Sequence, residues 1–269
     1  MDNKELLKLQ QTQYSMLKEV TQICEQEKIQ YSLAYGTLLG AVRHKGTIPW
    51  DYDIDIFIKR KDVKKFVESL NKYLPKNLFW EKLCAGDIMY CDEIRIYKKN
   101  TALYLPSHFD EKVNNCIRID VFILDYAKDN LFFAKKLVPF LYIAKLNKYE
   151  KDWLYDIHKG HVLKTLYIKI GDFIHKFITE DKFEKIIYNL VVSKQKSDNV
   201  CVVKYPDKAY KAQWFENFEK MQYENSQFYC ISNYDDFLKL KYGDYMKLPP
   251  EDQRFTDKMR EWVVYFSNV

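Results

Sequence analysis

Apolar side chains recur at three- and four-residue steps over residues 4–28. Leu6, Leu9, Leu17, Val20 and Cys24 line one side there, with no Gly or Pro to interrupt them, which predicts an amphipathic helix. Val63, Phe66, Val67 and Leu70 make a second such stripe and predict a helix over 60–73. Shorter helices are expected over 38–43 and 234–240. Alternating or unbroken apolar runs predict strands over 30–35, 53–58, 78–82, 93–97, 101–105, 116–124, 200–203 and 227–231, and the chain closes on the apolar run 262–266. Of these, CIRIDVFIL over 116–124 carries the strongest strand pattern. Between 129 and 200 the pattern turns helical, with Phe, Tyr, Leu and Lys dominant. The class expected is α+β, a mixed sheet flanked by helices with a helical insertion in mid-chain.

The polar positions that break these patterns hold the candidate chemistry. Residues 35–57 read YGTLLGAVRHKGTIPWDYDIDIF, and Asp51, Asp53 and Asp55 recur at every second position. On a strand all three point to one face. Three like charges there repel one another unless a cation lies between them, and a divalent metal carrying phosphate is the usual solution. Gly36 and Thr37 precede a short helix whose first N–H groups suit an anion. Asp120 shares a face with Arg118 in the central strand. A carboxylate there is costly unless paired or metal-bound, so sheet pairing is expected to bring Asp120 beside Asp53 and Asp55.

Composition narrows the picture modestly. In 269 residues, 47% are apolar and 30% charged, an ordinary globular balance. A net charge of +5 is too small to imply a nucleic-acid partner. The six cysteines form no CxxC pair or zinc spacing and read as reduced thiols. No signal-peptide pattern opens the chain and no apolar run approaches the ~20 residues of a membrane span, so the expected location is cytoplasmic. Residues 129–200 hold 13 Lys and no Arg against nine acids, and so carry most of the positive excess. Solvated lysine faces explain this most simply; a basic, aromatic surface that touches an anionic polymer or the inner face of a membrane is the sharper reading.

Three separated blocks, YGTLLGAVRHKGTIPWDYDIDI, IRIDVFILD and YDDFLKLKYGDYMKLPP, resemble the LicD family of phosphotransferases, related to the fukutin-type enzymes and the nucleotidyltransferase fold. The resemblance covers most of the chain outside the helical middle. It implies a catalytic core over 1–128, a helical insertion over 129–200 and a C-terminal part, 201–269, that completes the catalytic domain. Gly36 and Thr37 match the phosphate-side turn, Asp53 and Asp55 the metal pair, and Asp120 the third carboxylate, which implies one or two Mg²⁺ ions. The implied reaction is transfer of phosphocholine from CDP-choline, or of a related group from a CDP-linked donor, to a sugar hydroxyl of a glycopolymer that is lipid-linked. Transfer of another phospho-alditol or of the nucleotide itself, and an idle binding module, are the competing readings.

The remaining substrate-binding candidates are Arg43, Lys45 and Arg95 for donor phosphates, Trp50 as core or as a base-stacking ring, Asp51 as an orienting acid, and Tyr242 and Asp244 for a quaternary ammonium. Two departures from the family pattern stand out. Tyr52 replaces the second acid of WDDDID, and Phe255-Thr256-Asp257 stands where relatives often carry histidines.

Overall fold

A computed structural model describes residues 1–84, 86–106, 114–139, 177–254 and 261–267, together with residues 141, 166, 169, 170 and 173. The chain divides into two compact units. The first comprises residues 1–81, 93–123 and 213–269, and the second residues 82–92 and 124–212.

In the first unit, helix α1 (Asn3–Gln26) opens on a capping box in which Asp2 accepts from the Glu5 N–H and Glu5 accepts from the Asp2 N–H. Its buried stripe includes Leu6, Leu9, Leu17, Val20 and Cys24, as the periodicity predicts, and also two amides, Gln10 and Gln13. Strand β1 (Tyr31–Leu33), helix α2 (Tyr35–Arg43), strand β2 (Asp55–Lys59) and helix α3 (Val63–Tyr73) follow. Strands β3 (Leu78–Lys82), β4 (Glu93–Lys98), β5 (Thr101–Tyr104) and β6 (Arg118–Tyr126) come next, and the sheet runs in the order β1-β2-β6-β4-β3. The α+β class expected from the sequence is the class observed.

Pairing places the acidic segment next to the central strand. β1 and β2 are antiparallel with Leu33 opposite Ile56, β4 and β6 are antiparallel with Arg95 opposite Asp120, and the Asp120 N–H donates to the Ile54 carbonyl at 2.9 Å. The core is made by the apolar faces of these strands, with Ile54, Ile56, Phe57, Ile94, Ile96, Ile119, Val121 and Ile123 all buried.

The second strand begins at Asp55, two residues later than its apolar pattern suggests. Upstream, side-chain amides take the backbone carbonyls in place of a ladder. Gln10 Nε2 donates to the Ile48 and Asp51 carbonyls at 3.2 and 2.8 Å, and Gln13 Nε2 to those of Tyr52 and Arg118 at 3.0 and 2.9 Å. Asp51 and Asp53 therefore sit on a clamped loop, and strand alternation does not govern where they or Tyr52 point.

Strands β7 (Asn199–Cys201) and β8 (Tyr210–Lys211) belong to the second unit, where Asp125 of β6 lies opposite Cys201 and Tyr126 opposite Val200. Residues 132–139 are helical, as is α4 (Glu180–Val191). Leu131, Val138, Phe183, Ile187, Val191 and Cys201 form this unit's core. Most of the expected helical middle, residues 142–165 included, lies outside the described residues. No helix among the described residues is long and apolar enough to cross a membrane.

The first unit resumes with the hairpin of β9 (Phe218–Tyr223) and β10 (Ser226–Ile231), then α5 (Tyr234–Tyr242), the short α6 (Glu251–Arg254) and β11 (Val263–Phe266), which pairs with β5. β9 shows no apolar alternation because most of its side chains face solvent, with only Tyr223 buried. All six cysteines are free thiols, four of them buried.

Candidate functional site

The turn between β1 and α2 is strained. Tyr35 adopts φ 42, a left-handed conformation that costs a non-glycine residue ~1–3 kcal/mol. Aromatic packing holds it there: the buried Tyr35 ring meets Phe57 and Phe122 edge-on at 4.8 and 5.2 Å, and the Lys241 ammonium lies 4.2 Å above it. This turn delivers Gly36 and Thr37 to the acids. A Cβ on Gly36 would stand 2.6 Å from Asp51 Oδ2, so only glycine lets that carboxylate approach the helix start. Thr37 Oγ1 accepts from the Asp55 N–H at 2.8 Å, which ties the helix start to the first residue of β2.

Three acids converge electrostatically at this end of the sheet. The Asp51 and Asp53 side chains hydrogen-bond each other. Burial first, then the Asp53 charge, pushes Asp51 well above the ordinary carboxylate range. Burial also raises Asp53, with Asp120 adding to the rise and the hydrogen bond from Asp51 and the charge of Arg118 opposing it. Both carboxyls of the pair are thus held above the ordinary range in one buried place. Tyr52 feels the same field: burial, Asp53 and Asp51 raise its phenol, and its ring rests on Trp262 at 5.1 Å.

Asp120 completes the group from β6. Its Oδ1 lies 3.2 Å from Arg95 Nε and 3.3 Å from Arg118 Nε, ion pairs without hydrogen-bond alignment, and Arg95 Nε also donates to Glu93 at 2.8 Å. Arg95 is therefore placed as a partner of two carboxylates. Among the described residues, no three His, Cys, Asp or Glu side chains converge tightly enough to hold a metal ion by themselves.

The basic loop after α2 is held from the β9–β10 turn. Lys45 and Glu224 both adopt left-handed backbones, and the Glu224 N–H donates to the Lys45 carbonyl at 2.8 Å. Glu224 Oε1 accepts from the Thr47 N–H at 2.8 Å. Gly40 lies so close to this loop that a Cβ there would stand 2.5 Å from the Gly46 carbonyl oxygen. The Lys45 side chain is exposed. Arg43 reaches across to donate to the Tyr245 carbonyl at 2.7 Å. Trp50 is half-buried and meets His44 edge-on at 5.8 Å.

Two further candidates lie where α5 ends. Tyr242 and Asp244 are exposed at the end of α5, where Gly243 at φ 67 turns the chain. Residues 255–257, the site of the histidine departure, lie outside the described residues. Gln10 and Gln13 escaped the sequence reading, although a polar pair three residues apart inside an apolar helical stripe is a legible signal of a buried amide role.

The family model that matches the chain is that of LicD/FKTN/FKRP, nucleotidyltransferase domain, over residues 28–149. The chain is 28% identical to the lipopolysaccharide cholinephosphotransferase LicD of Haemophilus influenzae over 253 residues, 89% of this chain and 90% of that protein. It is also 31% identical over 128 residues to the ribitol 5-phosphate transferase FKRP of Mus musculus, covering 45% of this chain and 25% of that protein. The match in the human FKRP is 37% over 73 residues, 25% of this chain and 15% of that one. With the strained turn, the clamped acids and the central-strand aspartate in place, residues 28–149 match the LicD/FKTN/FKRP nucleotidyltransferase domain, and the chain is a transferase that resembles LicD along most of its length.

Proposed function

We propose that this protein transfers phosphocholine from CDP-choline to a sugar hydroxyl of a surface glycopolymer precursor, of teichoic acid or lipopolysaccharide type, releasing CMP. The observation that carries this reading is the gathering of Asp51, Asp53 and Asp120 beside the Gly36-Thr37 turn. The likeness to a cholinephosphotransferase along nearly the whole chain supports it.

The residues present fit Mg²⁺. Mg²⁺ favours oxygen ligands, keeps several waters and uses one or two carboxylates plus substrate phosphates, so it does not need a three-acid cage. Burial raises both Asp51 and Asp53, so negative charge is costly there and a cation would relieve it. Asp53 and Asp55 would hold the ion, which leaves Asp120 for the proton of the hydroxyl. When bound, Mg²⁺ would supply charge neutralisation and alignment at the donor's diphosphate.

The hydroxyl oxygen attacks the phosphorus that bears choline, and the bond from that phosphorus to the bridging oxygen breaks, so CMP departs with the electron pair. The proton of the hydroxyl passes to a carboxylate. Asp120, steered by Arg95 and Arg118, is the candidate acceptor. Gly36 and Thr37 present backbone N–H groups to the phosphates, and Arg43 and Lys45 add positive charge nearby. The test is incubation with CDP-choline, CDP-ribitol and CDP-glycerol plus Mg²⁺, scoring CMP release. Fastest release from CDP-choline is expected. Release from CDP-ribitol alone would favour a phospho-alditol transferase, a reading that the FKRP similarity supports.

Peripheral membrane contact belongs to the same reading. Phe133, Phe173 and Phe177 are 69%, 61% and 73% exposed in a lysine-rich stretch. Co-sedimentation with anionic vesicles at low salt is expected, with release near 1 M salt, where the Debye length is ~3 Å. A protein that stays in the supernatant at low salt would contradict membrane contact.

A further inference from the structure

Arg43, given above to the donor phosphates, is joined at the far end of α2 by three side chains that the proposed transfer leaves unused, His44, Trp50 and Arg254. Arg43 Nε lies 3.4 Å from His44 Nδ1, the His44 ring meets Trp50 edge-on at 5.8 Å, and the guanidinium carbon of Arg254 sits 5.4 Å above the Trp50 ring. Among the described residues the oxygens that both arginines meet are carbonyls, those of Tyr245 at 2.7 Å and Lys247 at 3.5 Å for Arg43 and that of Pro249 at 2.7 Å for Arg254. Carbonyl contacts orient a guanidinium without cancelling its charge. Arg95 and Arg118 each have a carboxylate within 3.3 Å, whereas Arg43 and Arg254 have no ion-pair partner among the described residues.

From this geometry we infer that Arg43 and Arg254, grouped about Trp50, form an anion subsite that takes a phosphate-bearing group of one of the two substrates. Two guanidiniums held close without a carboxylate repel each other. Burial and the Arg254 charge press Arg43 below its ordinary value, and burial and Arg43 hold His44 below the ordinary imidazole value. His44 is therefore neutral at pH 7, accepts the Arg43 N–H on Nδ1 and keeps an Nε2–H donor. A phosphate relieves the repulsion and matches the planar donor forks of arginine. Trp50 adds a flat apolar wall, already used by one guanidinium, for the organic part of the same ligand. Because Trp50 adjoins Asp51, whose carboxylate in turn abuts Gly36, the subsite neighbours the acids.

This inference rests on the proposed transfer only for the identity of the ligand, so the test reads binding without turnover. Affinities for CMP and for glucose 1-phosphate are measured by titration calorimetry with chelator present, for the wild type and for Arg254→Gln, Arg254→Lys and Arg43→Lys, with thermal melts as the folding control. Arg254→Gln is expected to weaken at least one ligand by about tenfold or more, Arg254→Lys to recover part of the loss, and added salt to weaken the wild type more than Arg254→Gln. Weakened CMP binding assigns the subsite to the donor; weakening confined to glucose 1-phosphate assigns it to the acceptor. Unchanged affinities for both ligands in a folded Arg254→Gln protein, or no binding of either to the wild type, would overturn the inference. Failure of CDP-choline turnover leaves this result untouched and bears on the transfer reading alone.

Discussion

Asp53→Asn and Asp55→Asn are each expected to lower transfer by ~10³-fold or more, the scale of losing a preorganised electrostatic group at a phosphoryl centre, while the protein stays folded. The stability change has a definite sign for Asp53. Its carboxyl is raised by burial first and by the Asp120 charge, and that of Asp51 by burial and the Asp53 charge. A carboxyl raised in the folded state contributes stability that is fully present below its unfolded pKa and is lost as pH rises through the folded one. With chelator present, the wild-type melting temperature should therefore fall as pH climbs above ~4. Asp53→Asn removes part of that fall and raises the neutral-pH melting temperature, by about 2–4 °C for each kcal/mol relieved in a chain of this size. Mg²⁺ should raise the wild-type value and leave the variant unmoved. Thermal melts across pH with and without Mg²⁺ check this. A variant with near-native turnover, or a destabilised one, would contradict the assignment.

Gln13→Leu is expected to damage the reaction from a distance. Gln13 is buried, and its amide is shared by the carbonyls of Tyr52 and Arg118, one on the acidic loop and one at the start of β6. It thereby fixes Asp53 relative to Asp120 through backbone alone. Leucine keeps the volume and leaves two buried acceptors unsatisfied, each costing about 1–3 kcal/mol. A displacement near 1 Å in a reacting constellation costs on the order of 10²-fold, so kcat should fall by about that factor with KM changed far less. Steady-state kinetics beside thermal melts separate the two effects. An unchanged kcat in a protein that is merely less stable would show that the clamp serves the fold alone.

Much of this was legible in the chain. The apolar stripes of α1 and α3 and the unbroken run of β6 report burial directly, because one face of each packs against the core. The acids were legible as a group, since like charges so dense on a partly apolar segment need a compensating partner. Their arrangement was not. Asp51 and Asp53 precede β2 because Gln10 and Gln13 take the carbonyls that a ladder would use, and a helix 40 residues upstream leaves no mark on the local pattern. β9 went unread because its side chains are mostly solvated. The basic loop depends on Glu224, far along the chain, which no local rule connects to Lys45 and Thr47. Arg254 meets Trp50 only through the fold.

The central claim is that the acids serve attack on the phosphorus that carries the head group. Phosphorus NMR of the protein with CDP-choline, Mg²⁺ and a glycopolymer extract tests it most directly. The account predicts that the diphosphate signals of CDP-choline are replaced by CMP and by a phosphodiester bearing choline, and that Asp53→Asn leaves the diphosphate intact. Unaltered CDP-choline alongside pyrophosphate release from a nucleoside triphosphate would contradict it and place the protein among nucleotidyl transferases.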